Sequence, residues 1–234
     1  MKKFAKMAIA ALVVGISFAA QAGLVIDDFS VQQGVPGLLV DSTANGSGLY
    51  NSAAGAGILG GERDMFVTAL TTDGFGAAVG ANVSGGLLKY STDTAASGRS
   101  ILKWDGTNGI AGVTAGSEAA FMGTLNPFGL GGVNLAATGS AFLINVKESD
   151  LGFDFALTVF TSDTEWTMLV LASAAHHLWL PSSSPIDFAD FLGGAGEVGV
   201  VLGSGALRFT GSGGSVDLSD VGAIMAIINF SGSE

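Results

Sequence analysis

The chain has 234 residues, of which 37 are Gly, 9 are Lys or Arg, 20 are Asp or Glu and none is Cys. Without Cys there is no disulfide, no thiolate metal site, no cysteine nucleophile and no lipoprotein cysteine. Lys2, Lys3 and Lys6 sit in the first seven residues, so the rest carries six basic against 20 acidic residues, a balance of −14 that argues against nucleic acid and anionic lipid headgroups as partners.

In chain order, residues 1–22 read as a removable export signal. Lysines precede Met7, an apolar run covers Ala8 to Ala20, and Ala20-Gln21-Ala22 is a small-x-small site predicting cleavage before Gly23. The run of 13 residues falls short of the roughly 20 that a spanning helix needs. With no twin-arginine pair, the general secretory route is expected, and the short Lys-rich start suggests a bacterial, Gram-negative-like source. The expected location is secreted: extracellular, periplasmic or at the bacterial cell surface. The later apolar stretch Met168 to Ala175 is too short for a span and runs into His176-His177, so no stable membrane span is expected after signal cleavage.

Residues 23–234 carry scattered glycines, each costing about 1 kcal/mol inside a helix, so helices are disfavoured. Short β-branched and aromatic runs predict strands at Leu24–Phe29, Met65–Ala69, Gly86–Ser91, Ser100–Trp104, Ala141–Val146, Asp154–Thr161, Glu165–Leu171, Val198–Leu202, Ala206–Thr210 and Ala223–Phe230. Phe153, Phe155, Leu157 and Val159 alternate onto one face, as do Phe142, Ile144 and Val146, which is the pattern of antiparallel strands with one face on a core. Asp73-Gly74, Asn108-Gly109 and Ser212-Gly213-Gly214 mark turns. The stretch from Asp105 to Gly132 reads either as a long loop or as short strands, with Ala119–Met122 as one of them. Pro181 to Pro185 reads as a loop, and Ile186–Phe191 as a strand or a helical turn. The expected fold is all-β: a single-domain, antiparallel β-sandwich of jelly-roll-like form.

Val25-Ile26-Asp27-Asp28-Phe29, Ile58-Leu59-Gly60-Gly61-Glu62-Arg63-Asp64-Met65 and the late Val216-Asp217-Leu218-Ser219-Asp220-Val221-Gly222-Ala223-Ile224 resemble, in that order, exported bacterial β-sandwich proteins of the PEP-CTERM-associated type. The order is broadly similar to galactose-binding-like and carbohydrate-module jelly rolls, and it covers most of the chain after the signal. The resemblance implies a fold and an exported, glycan-associated setting. Such proteins usually add another strand and a Pro-Glu-Pro sorting tail after the segment where this sequence reads Ser231-Gly232-Ser233-Glu234. By the resemblance, the sequence is either truncated there or lacks a closing strand, which would leave an open sheet edge.

No catalytic pattern stands out. His176 and His177 are neighbours and would point to opposite faces of a strand; HExxH, G-x-S-x-G and the phosphate-loop pattern are all missing. Glu148/Asp150 and Asp187/Asp190 read as solvated strand-end charges. The expectation is therefore a non-enzyme. Asp27, Asp28, Asp217 and Asp220 flank the first and late predicted strands and are candidates for a structural Ca2+, which takes loop oxygens; the alternative is acid solvation and turn capping. Arg63 lies between Glu62 and Asp64, and on a strand it faces away from both. These three are expected in a structural ion pair, with Arg63 needing a carboxylate from another strand if it is buried. Trp104, Tyr90 and Trp166 are candidates for a sugar platform because flat rings stack on sugar C–H faces; Tyr50 and Trp179 belong to the same set.

Three functions are open at this point. The first is an exported non-catalytic module for glycan or an extracellular polymer. The second is a self-assembling matrix or filament subunit, favoured by sparse charge and pairing of exposed strand edges. The third, a hydrolase, lacks a catalytic constellation.

Overall fold

The computed structural model describes residues 24–34, 39–44, 47–109, 112–146, 153–173 and 182–232. His176, His177, Trp179, Glu148, Asp150 and the export signal lie outside them. Fourteen strands are present among the described residues: β1 (Leu39–Asp41), β2 (Ser47–Ala54), β3 (Glu62–Thr71), β4 (Val79–Ser84), β5 (Leu87–Thr92), β6 (Ser97–Trp104), β7 (Thr114–Ser117), β8 (Ala141–Val146), β9 (Phe153–Phe160), β10 (Trp166–Ser173), β11 (Ser182–Asp187), β12 (Val200–Val201), β13 (Leu207–Thr210) and β14 (Ala223–Ile228). One short helix, α1 (Glu118–Met122), and two 3-10 turns at Leu59–Gly61 and Phe188–Phe191 complete the inventory. No described helix is long and apolar enough to cross a membrane.

The fold is all-β and sandwich-like. A nine-stranded antiparallel sheet has the order β12-β13-β10-β9-β14-β6-β3-β2-β7. A three-stranded sheet (β1-β4-β5) and a two-stranded ribbon (β11-β8) make up the rest. Two-residue alternation builds the core. Met65, Leu102, Ala226, Leu157 and Leu169 lie directly opposite one another in a row across β3, β6, β14, β9 and β10. At the β3 end of this face, Met65 and Val67 pack on Leu39, Val79 and Ala81 of the three-stranded sheet. Further along, Leu102, Trp104, Leu157 and Ile224 pack with Phe142 and Ile186 of the ribbon. On the reverse face the neighbouring row is Asp64, Lys103, Met225, Thr158 and Met168. There Phe121 of α1 stacks on Phe66, ring centroids 5.2 Å apart, at the edge of a second core cluster.

Several expectations are corrected. Leu24–Phe29 is not a strand; it forms one isolated bridge, Asp27 to Ile58. Ala119–Met122 is helical, because Ser117 caps it by accepting a hydrogen bond from the Ala120 N–H at 3.2 Å. The Pro181–Pro185 segment contributes to β11 from Ser182 onward, and Phe188–Phe191 takes the helical-turn alternative.

Candidate functional site

Polar chemistry gathers in three places. The first joins the two earliest motifs. Arg63, on the core face of β3, is fully buried, and burial holds its guanidinium below the usual arginine range. Its Nη1 donates to Asp27 Oδ2 at 2.7 Å, its Nη2 to the Val31 carbonyl at 2.8 Å, and its Nε to Gln33 Oε1. Trp104 Nε1 donates to the same Asp27 oxygen at 2.9 Å, and the Phe29 N–H donates to Asp27 Oδ1 at 2.8 Å. Phe29, held at φ 54°, lays its ring 5.5 Å from the guanidinium. Every charge here has partners, so the clasp fixes the N-terminal segment to the sheet. The partner of Arg63 is Asp27, not its neighbours Glu62 and Asp64, whose side chains lie on the opposite face.

The second place is that opposite face. Lys103 Nζ lies 3.1 Å from Asp64 Oδ2, 3.8 Å from Asp105 Oδ2 and 2.7 Å from Thr124 Oγ1. It also sits 4.3 Å above the Phe121 ring. Ser52 Oγ donates to Asp64 Oδ1. Asp105 accepts from the Asn126 N–H at 2.8 Å, and Glu62 accepts from the Asn108 N–H at 3.1 Å. Burial raises both the Asp105 and the Glu62 carboxyls above the usual range, and the neighbouring carboxylates add to the rise. The loop that carries Asp105 depends on Gly129: a Cβ there would lie 1.7 Å from the Asp105 carbonyl oxygen.

The third is an open groove of about 970 Å³. It lies where the β9–β10 turn, the 3-10 turn after β11 and the segment leading into β14 meet. Glu165, Asp187, Asp217 and Asp220 line it together with the half-buried Phe188 ring, and none of its described lining residues is basic. Asp217 accepts from the N–H and the Oγ of Ser219 at 2.8 and 2.7 Å, which holds its carboxyl below the usual range. A smaller hollow of about 380 Å³ shares Thr161, Glu165 and Asp220 and extends to Phe128, which is 59% exposed.

The structure distributes the expected site residues differently. Trp104 is 5% exposed and belongs to the core cluster with the ribbon. Trp166 packs near Phe160 on the reverse face, ring centroids 6.5 Å apart. Tyr90 packs with the three-stranded sheet, its OH donating to the Gly98 carbonyl at 2.6 Å, and burial pushes that phenol up to about 12. Three separate clusters cannot form one sugar platform. Tyr50 packs against Phe66 and Phe121 and is likewise part of a core. Of the four aspartates proposed for Ca2+, Asp27 is held by Arg63, Asp28 accepts from the Ser30 N–H at 2.8 Å, and Asp217 and Asp220 line the groove. No group of three or more Asp, Glu or His side chains suited to a metal ion occurs among the described residues.

Lys103, Asp105, Thr124, Gln33, Glu165, Phe188 and Phe128 were not singled out from sequence. The signal for Lys103 was available: it is one of six basic residues after the export signal, and it alternates with Leu102 and Trp104 on a predicted strand. Comparison of the chain with protein-family models, with curated proteins and with solved structures finds no match in any of the three.

Proposed function

We propose that the chain is an exported, non-catalytic β-sandwich protein that holds a neutral glycan in the acidic groove. The observation that carries this reading is the lining: three exposed aspartates and the half-buried Glu165 together with the Phe188 ring, with no cation among the described lining residues. Carboxylates accept hydrogen bonds from sugar hydroxyls, and an aromatic face takes a sugar C–H face. The same lining repels phosphate, sulfate and uronate polymers. Residues 1–22, with the features of an export signal, support placement outside the cytoplasm.

The test is retention on a panel of neutral and anionic polysaccharides, repeated with Phe188→Ala and Asp187→Asn. Retention on a neutral polymer that falls roughly tenfold in either variant, about 1.4 kcal/mol, supports the reading. Retention on anionic polymers only, or retention indifferent to both substitutions, refutes it.

A specific observation favours a second reading, self-association. At the β12 edge of the large sheet Val198 is 81% and Val201 is 71% exposed, and residues 198–202 carry no charge. Nearby Glu197 is neutralised by Arg208 at 2.6 Å. An uncharged edge with no partner strand among the described residues invites a strand from a second copy. Concentration-dependent light scattering that Val201→Lys abolishes, in protein that retains no glycan, would decide for this reading.

A further inference from the structure

We propose that Lys103 and Asp64 react with each other, forming an intramolecular amide that covalently staples β6 to β3. The two residues are direct cross-strand partners in the register of β3 with β6, so the backbone holds their side chains together on one face. Side-chain exposure is 0% for Lys103, 7% for Asp64 and 1% for Asp105, so all three are withdrawn from water. The Lys103 nitrogen is already 3.1 Å from Asp64 Oδ2, so the fold holds the nucleophile against the carboxyl group it attacks and removes the cost of bringing the two together. This inference is independent of the glycan reading.

The chemistry balances without any co-reactant. The Lys103 ammonium passes one proton to the Asp64 carboxylate across the 3.1 Å contact, leaving a neutral amine and a carboxylic acid. The amine lone pair attacks Asp64 Cγ. Oδ1 takes up the developing negative charge, stabilised by the hydrogen bond that Ser52 Oγ donates to it. The nitrogen gives up its second proton, and Oδ2, twice protonated, leaves as one water. The products are a secondary amide and H2O; nothing is oxidised or reduced.

Asp105 is placed to carry that second proton. Its Oδ2 is 3.8 Å from Lys103 Nζ, and burial favours its protonated form. Thr124 Oγ1 at 2.7 Å aims the amine, and the Phe121 ring covers it from water. In bulk water hydrolysis competes with such a bond. Here the reaction replaces a desolvated ion pair by a neutral amide and expels its water, both favourable in a buried site. Glu62, the other titratable group on this side of β3, approaches the Asn108 N–H and does not contact the amine.

The test is intact mass spectrometry of the folded chain, measured against the mass calculated from its own N-terminus, followed by tryptic mapping. The expected wild-type protein is lighter by one water. Amidation blocks cleavage after Lys103, so a branched species joins the peptide Asp64–Lys89 to Ser100–Lys147. Lys103→Arg keeps a cation but removes the nucleophile and should have its full mass. Asp105→Ala should slow the fall in mass by roughly 10²-fold, as loss of a general acid–base group does. A folded wild-type chain at full mass, with residues 64 and 103 recovered in linear peptides, overturns the proposal. So does a loss of water that maps to a succinimide at Asp73 or Asp105, each of which precedes a glycine. A wild-type rate of water loss in Asp105→Ala overturns the proton-carrying part assigned to that residue.

Discussion

Replacing Asp27 by Asn isolates the clasp between the N-terminal segment and the sheet. Arg63 is fully buried, and Asp27, at 2.7 Å, is its one anionic contact among the described residues. The substitution leaves a buried guanidinium without its counter-charge. The new amide has one oxygen to meet three donors: the Phe29 N–H, Trp104 Nε1 and Arg63 Nη1. Breaking a buried pair from one side costs about 3–5 kcal/mol, so about 4 kcal/mol is expected. With a urea slope of about 2.5 kcal/mol per molar, the unfolding midpoint falls by about 1.6 M. Circular dichroism and Trp fluorescence in urea, followed together, measure it. Asp28→Asn, at an exposed carboxylate, should leave the midpoint unchanged. Adding Arg63→Met to Asp27→Asn should restore about 2 kcal/mol, since no charge is then stranded. A midpoint shift under about 0.4 M, or a double variant less stable than Asp27→Asn, would refute the reasoning.

Tyr90 gives an alkaline prediction. Its folded value of about 12 exceeds the ordinary 10, so the folded protein holds the phenol proton longer than the unfolded chain. Stability is full below pH 10 and is lost as pH rises from 10 towards 12. Urea midpoints on either side of pH 10 should fall for the wild type and fall less for Tyr90→Phe; identical slopes would contradict the assignment. Gly129→Ala places a Cβ 1.7 Å from the Asp105 carbonyl oxygen, which must force the loop apart. A loss of about 1–3 kcal/mol with an unchanged urea slope is expected, and a neutral result would show that this loop yields freely.

The sequence was most readable where large apolar side chains alternate with smaller or polar ones, even in β9, which is buried on both faces. The Phe155, Leu157, Val159 alternation places all three on the core face of β9, and β8 spans the residues its pattern indicated. Strand β3 was read too short, as Met65–Ala69, because its first eight residues are buried on both faces and leave no alternation. Strands β2 and β4, with sequences SGLYNSAA and VGANVS, are held by cross-strand pairing rather than by β-propensity, so composition hid them. A turn signal was overlooked: Gly85-Gly86, at φ 62° and 74°, joins β4 to β5 as a two-residue hairpin. At the candidate sites, sequence predicted that Arg63 needs a carboxylate from elsewhere, but not which one. The aromatic platform failed because period-two reasoning places a ring on a face without saying what covers that face. Trp104 lies under the ribbon and the N-terminal segment, neither of which is local in sequence to it.

The last strand described, β14, fills a slot between β6 and β9. Before it docks, the molecule is two half-sheets, each with one raw margin at which Leu102 or Leu157 meets no neighbour. Synthesis or translocation from the N-terminus would therefore leave the sheet unzipped until Ala223–Ile228 arrives. A chain stopped before Ala223 should stay split at that seam, and a peptide of residues 223–228 supplied in trans should be the piece that closes it.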